Sequence, residues 1–149
     1  MKSVDICNKR VVTAEASTTL IDIAKLMRKN HVGAVVVVDE KDAKRPVGIV
    51  TDRDIVVEVV AAGQDPRTLK AGEIMSSSLA TTSTEDDVSW TLKVMRDHGV
   101  RRLPVIDGQN RMVGIVALDD LLNAYSSTLH DVAQAIGTER VVETALRGA

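Results

Sequence analysis

The chain is one unit written twice. A shift of 68 positions lays Ile6 on Ile74, Thr13 on Thr81, Lys25 on Lys93, Met27-Arg28 on Met95-Arg96, Val32 on Val100, Val37 on Val105 and Asp39 on Asp107. The second copy is two residues shorter in its hairpin, and a shift of 66 then lays Val47-Gly48-Ile49-Val50 on Val113-Gly114-Ile115-Val116 and Asp54 on Asp120. Such a repeat constrains the fold more than any single motif, because both copies must form the same supersecondary unit and bury its apolar face. A unit of about 60 residues buries only about 60% of its unfolded surface and is marginal alone. The two copies are therefore expected to share one core about a pseudo-twofold axis, with two related clefts where they meet, and such junctions are common ligand sites.

The periodicity changes in the same order within each copy. In the first, Leu20, Ile23, Ala24 and Met27 fall at helical spacing, and the β-branched run Ala34 to Val38 reads as a buried strand. A charged turn from Glu40 to Arg45, closed by Pro46, leads to a strand from Val47 to Thr51 and a helix from Ile55 to Ala62. The second copy repeats this with Val88, Thr91, Leu92 and Met95 on a helix and Leu103 to Ile106 as a strand. The Asp-Gly turn Asp107 to Asn110, strand Met112 to Val116 and helix Asp119 to Ala124 follow. Gly63 to Lys70 reads as the linker, and the whole is an α/β (α+β) chain. In the tail, Leu129, Val132, Ala133 and Ile136, then Val141, Val142, Ala145 and Leu146, suggest one broken or two short amphipathic helices interrupted at Gly137. That apolar face either packs on its own repeat or covers a dimer contact.

Charge and composition narrow the function. The 19 basic and 21 acidic side chains leave a formal charge of −2, which argues against the broad positive surface that nucleic acids or anionic membranes require. With no Phe, one Trp (Trp90) and one Tyr (Tyr125), base-stacking platforms cannot be built. No apolar run approaches a membrane span, the N-terminus lacks a signal-peptide core, and Cys7 is the only cysteine, so a soluble cytoplasmic protein without an intramolecular disulfide is expected. GxxxxGK[ST], GxGxxG, GxSxG and HExxH are all absent, so no catalytic residue is assigned. His31, His98 and His130 lack metal-ligand spacing and read as helix-end or surface residues. Cys7 beside Lys9 and Arg10 suits either a small apolar packing role or a thiol of lowered pKa.

One segment, Gly48 to Ile55, suits ligand binding, because there a strand runs straight into a helix. Unpaired N–H groups and the positive end of the helix dipole favour a phosphate there, helped by the Thr51 hydroxyl, and Asp54 suits the two hydroxyls of a ribose. Thr51 and Asp54 also have the [ST]-x-x-[DE] spacing of a capping box, worth about 1 kcal/mol without any ligand. In the second copy Ala117 replaces the hydroxyl while Asp120 stays, which leans toward a role for the acid beyond capping. Arg101 and Arg102 stand where the first copy has Gly33 and Ala34, and strand alternation sends one of them toward a cleft as a phosphate clamp.

In combination these features resemble the tandem cystathionine β-synthase (CBS) domain pair, or Bateman module. They are a helix ending in Met-Arg, a strand ending in Val-Val-Asp or Val-Ile-Asp, and Gly-Ile-Val-x-x-x-Asp entering a helix, all of it twice over residues 1 to 126. The stretch Thr51-Asp52-Arg53-Asp54 looks most like stand-alone bacterial and archaeal members. The resemblance implies two βαββα repeats with pseudo-twofold symmetry, CBS motifs at 1–64 and 65–126, and a helical tail at 127–149. It further implies a disc-like, often dimeric module that binds AMP, ADP, ATP, S-adenosylmethionine or NAD as a regulatory ligand, with no cofactor or metal required, and that acts on a protein partner the sequence does not identify. One cleft would use Thr51, Arg53 and Asp54 with Ala80, Val100, Arg101 and Leu103. A weaker mirrored cleft would use Asp120, Arg101, Arg102, Val12, Val32 and Gly33. A structural dimerisation protein without nucleotide is the alternative.

Overall fold

A computed structural model describes residues 1–76 and 78–148, so Ala149, the last residue of the tail, lies outside the described residues. Ala34–Val38 carries no polar side chain and must be covered on both faces, which makes it a central strand. As β2 it lies between β1 (Thr13–Glu15), to which it is parallel, and β3 (Pro46–Thr51), to which it is antiparallel. The second copy builds the same three-stranded sheet from β4 (Thr82–Ser83), β5 (Arg102–Ile106) and β6 (Met112–Ala117). Even the irregularity is repeated, at Val37/Val38 and at Val105/Ile106.

The helices before β2 and β5 are α2 (Leu20–Asn30) and α5 (Val88–His98). The side chains of Thr19 and Asp87 accept from the backbone N–H of Asp22 and Trp90, satisfying donors that the first turn leaves free. Both helices stop at a left-handed residue, His31 with φ 53° and Gly99 with φ 64°. His31 is thus a C-cap by backbone conformation, as its helix-end position suggested.

The expected single shared core is instead two cores that exchange parts. Leu20, Ile23, Met27, Val35, Val37, Val50 and Val59 form one, and Val88, Met95, Leu103, Val105, Val116 and Leu121 the other. The short helix that opens each copy leaves for the opposite core. α1 (Ser3–Ile6) packs against β4, β6 and the last helix, whereas α4 (Ala71–Ile74) packs against β3. Glycines make this exchange possible, for a Cβ on Gly114 would lie 2.5 Å from Cys7 Sγ and one on Gly48 would overlap the Met75 side chain. Cys7 therefore has the packing role, and burial pushes its thiol pKa up despite the opposing charge of Lys9. The second core also holds a polar knot that the first replaces by Ile23, Ala71 and Ala14. Buried Ser3 and Thr82 both share hydrogen bonds with Thr91, and Thr82 donates to Asp86 Oδ2 at 3.0 Å.

Three local expectations change. The helix after β3 begins earlier, with α3 (Asp52–Asp54), and then widens over Ile55–Val60. There Ala61 N–H donates to Val56 O and Gln64 N–H to Val59 O, five residues back. In the hairpin of the second copy Asn110, not Gly108, takes the positive φ, 59°. Asp107 Oδ1 holds that turn by accepting from the N–H of Gln109 and Arg111, which keeps the Asp107 carboxyl below the usual range. The third change is the largest. Instead of a short helix and a broken tail, Leu118–Arg147 is one continuous helix, α6, that passes through Gly137. It does not pack on its own repeat, since every residue from Tyr125 to Gly148 is exposed.

Candidate functional site

Among the described residues, clefts of about 380 Å³ and about 250 Å³ are each lined by residues of both copies. The larger is lined by Thr51, Arg53, Asp54, Val100 and Arg101, as expected, and also by Ile49, Asp52, Ile74, Ser76, Gly99 and Arg102. Ala80 and Leu103 do not line it. Leu103 is fully buried in the second core and Ala80 packs against that core, because their side chains point away from the junction. The smaller cleft takes Val12, Val32, Gly33, Arg102 and Asp120, together with Asn8, Arg10, Val11, His31, Ala34, Ile115, Ala117 and Asp119. Arg101 is not among its lining residues.

The repeat relates many of the residues that sequence reasoning missed to a counterpart in the other cleft. The shifts that align the copies lay Asn8 on Ser76, His31 on Gly99, Ile49 on Ile115 and Arg53 on Asp119, and each pair contributes one member to each cleft. Carrying Arg53 and Thr51 across by the same shift as Asp54 was the available signal for Asp119 and Ala117.

At the helix entry the expected free N–H groups are already occupied. Thr51 N–H donates to Asp54 Oδ2 at 2.8 Å and Asp54 N–H to Thr51 Oγ1 at 3.2 Å. Asp52 N–H donates to Gly33 O at 3.1 Å, and Arg53 N–H to Asp52 Oδ1 at 2.9 Å. The polar groups left for a ligand are therefore side-chain ones. They are the Thr51 hydroxyl proton, Asp54 Oδ1 and Asp52 Oδ2, which accept no hydrogen bond among the described residues, the Ser76 hydroxyl, whose proton goes to Ser78 O, and the guanidiniums of Arg53, Arg101 and Arg102. Acceptor carboxylates beside three cations suit a ligand with vicinal hydroxyls and an anionic group.

The second copy answers the question raised by Ala117. Asp120 Oδ2 still accepts from Ala117 N–H at 2.8 Å, so half of the capping box survives the loss of the hydroxyl and by itself accounts for the retained acid. Leu118 N–H donates to Arg101 O at 2.9 Å, the counterpart of the bond from Asp52 to Gly33.

Among the described residues, Arg102 is the one cation that lines both clefts. It reaches across to the first copy because Gly33 has no side chain, and a Cβ there would stand 3.1 Å from Arg102 Nη2 and 3.0 Å from Asp52 Oδ2. Strand alternation predicts one arginine at the junction, but both line the larger cleft, because β5 begins at Arg102 and Arg101 sits in the loop before it. Among the described residues no group of three or more His, Cys, Asp or Glu side chains is placed to hold a metal ion. Nor is any helix among the described residues long and apolar enough to cross a membrane.

The CBS domain family model matches residues 3–61 and 71–127. An uncharacterized protein of Methanopyrus kandleri is 38% identical over 118 residues, 79% of this chain but only 59% of its own length. Hypoxic response protein 1 of Mycobacterium tuberculosis is 39% identical over 117 residues, 78% of this chain and 80% of that protein. A CBS domain protein from Pyrobaculum aerophilum, complexed with AMP, superposes with a TM-score of 0.75 at 28% identity, covering 80% of this chain and 89% of that one. The CBS domain pair of protein MJ0100, in complex with 5'-methylthioadenosine and S-adenosylmethionine, gives a TM-score of 0.76 at 26% identity over 86% of this chain and 98% of that one. A structure of Hypoxic Response Protein I holding two zinc ions gives 0.73 at 36% identity over 83% and 98%.

Proposed function

This chain belongs to the CBS-domain family, as a tandem pair, and from that premise we propose that it is a non-catalytic cytoplasmic sensor that binds an adenosine-containing nucleotide in the cleft of Thr51 and Asp54. The observation that carries the reading is the unspent valence of that cleft. Thr51 and Asp54, whose hydroxyl proton and Oδ1 the capping hydrogen bonds leave unused, line a space of about 380 Å³, within the usual range for small-ligand sites, together with three arginines. The ribose belongs at Asp54 and the phosphate at Thr51 and the guanidiniums. The adenine belongs against the apolar wall of Ile49, Ile74 and Val100. Similar folds complexed with AMP and with S-adenosylmethionine support this class of ligand. The regulated partner is a protein that responds when the ligand shifts the two copies relative to one another.

A thermal-shift panel of AMP, ADP, ATP, S-adenosylmethionine and NAD tests the reading. At least one compound is expected to raise Tm in a concentration-dependent way, and no shift with any of the five would overturn it. A second reading, a structural protein whose Thr51 and Asp54 only cap a helix, draws on the reciprocal hydrogen bonds of that box. It predicts no ligand-dependent stabilisation at all.

The shared arginine gives a separate prediction. Calorimetric titration with the compound that shifts Tm is expected to show a strong and a weak site, with Arg101→Ala weakening the first alone and Arg102→Ala weakening both. Loss of a charge-assisted hydrogen bond costs about 1.5–3 kcal/mol, or roughly 10–100-fold in each affected constant. An Arg102→Ala protein with an unaltered weak site would show that Arg102 serves only the larger cleft.

A further inference from the structure

We infer that α6 is the docking surface for a second copy of this chain, paired antiparallel, and that it places Arg140 of one copy beside Asp119 of the other at the mouth of the smaller cleft. The large apolar residues that α6 leaves uncovered include Val141, Val142 and Leu146 near its end and, before them, Leu122, Tyr125, Leu129, Val132 and Ile136, spaced three, four, three and four apart. This is the a/d seam of a heptad repeat, the pattern that keeps one stripe facing a partner helix along its length. Exposure of these five side chains runs from 40% at Tyr125 to 70% at Leu129, although Leu121, one residue before the seam, is buried. The helix thus starts in its own core and turns this stripe outward as it leaves.

The occupant follows from charge. A lipid surface would want lysines and arginines flanking the stripe, but α6 has no lysine and carries Asp119, Asp120 and Asp131 along its first half. A second α6 fits in one direction only. With Leu122, Leu129 and Ile136 at a, the e positions are Asp119, Ser126, Ala133 and Arg140. In an antiparallel pair e edges face each other, so Arg140 lies opposite Asp119 of the second copy and Ala133 opposite Ser126, at both ends of the seam. A parallel pair would instead stack Glu139 on Glu139 and Glu143 on Glu143 in the d and a positions, an uncompensated like-charge contact. Small residues at Ser126, Ala133 and Ala135 flank the seam and let the backbones approach closely. Asp119 is also a lining residue of the smaller cleft, so assembly delivers a cation to the cleft whose own residues include two carboxylates, Asp119 and Asp120.

The inference does not rest on the nucleotide reading, and its test uses no nucleotide. Sedimentation equilibrium of the full chain is expected to show twice the 16.0 kDa chain mass at micromolar concentration. Leu129→Glu combined with Val132→Glu should raise the dimer dissociation constant at least 10-fold with an unchanged circular-dichroism melt at low concentration, since neither side chain belongs to a core. Arg140→Asp should weaken the dimer and Arg140→Asp with Asp119→Arg should restore it. Orientation is read from a nitroxide on Thr144→Cys in a Cys7→Ala background. At 1.5 Å per residue the antiparallel pair separates the two labels by about 40 Å, against about 10 Å for a parallel pair. A monomer at all concentrations, a dimer indifferent to the Leu129→Glu/Val132→Glu change, or the short label distance would each overturn the inference.

Discussion

Asp54→Ala is expected to abolish most of the stabilisation that nucleotide confers, while leaving a folded protein. A ligand at 100 times its dissociation constant stabilises the native state by about 2.7 kcal/mol. For a chain of this length that is roughly 5–11 °C in Tm. Loss of the carboxylate removes the acceptor whose Oδ1 faces the cleft and with it about 1.5–3 kcal/mol of charge-assisted hydrogen bonding, so affinity falls roughly 10–100-fold. At the same ligand concentration the stabilisation then drops to about 0.4–1.4 kcal/mol. The substitution also removes the acceptor for Thr51 N–H, which lowers stability by about 1 kcal/mol with or without ligand. The two effects separate cleanly, because the capping loss moves the ligand-free Tm and the binding loss moves only the increment. An Asp54→Ala protein that keeps the full increment would assign the ribose to other residues. One that loses only baseline stability, in a wild type without any increment, would establish the structural reading.

The second large effect concerns the exchange of segments between the cores. Gly114→Ala is expected to destabilise the protein by about 1–3 kcal/mol, whereas Gly48→Ala, its counterpart in the repeat, should fall within about 1 kcal/mol of wild type. The sites look equivalent in sequence, but their neighbours differ. At Gly114 the new methyl meets Asn8 O at 2.9 Å as well as Cys7 Sγ at 2.5 Å. The Asn8 backbone cannot retreat without breaking two bridging hydrogen bonds, from Asn8 N–H to Ile115 O at 2.8 Å and from Ile115 N–H to Asn8 O at 2.9 Å. At Gly48 every close atom belongs to the Met75 side chain, which has three rotatable bonds to move aside. Urea denaturation of the two variants side by side measures the difference. Equal losses would mean that the leading segments α1 and α4 are held alike.

Much of the architecture was legible because it depended on local chemistry written twice. The all-apolar run Ala34–Val38 could only be a covered strand, and the acid at position 54 and again at 120 marked both helix entries. Of the eleven residues that line the larger cleft, five were expected there: Thr51, Arg53 and Asp54 at the helix entry, and Val100 and Arg101 from the family resemblance. What misled was reasoning from neighbours along the chain where neighbours across it decide. Free N–H groups at Asp52 were inferred from the helix rule, yet Gly33 O, far away in sequence, had already taken that donor. The family resemblance implied Leu103 at the cleft, but its side chain is fully buried in the core of its own copy.

The amino-acid sequence alone determined the repeat, the strand and helix order within each copy, and the existence of two related junctions, since periodicity and capping act over a few residues. Only the tertiary structure decided that two cores form rather than one, that α1 and α4 cross to the opposite copy, that Arg102 serves both clefts and that α6 runs on alone. The physical reason is common to all four. Which of two nearly identical surfaces a segment packs on turns on steric room at single points, such as the missing side chains of Gly33, Gly48 and Gly114, and a repeated sequence offers both surfaces equally until the chain is folded.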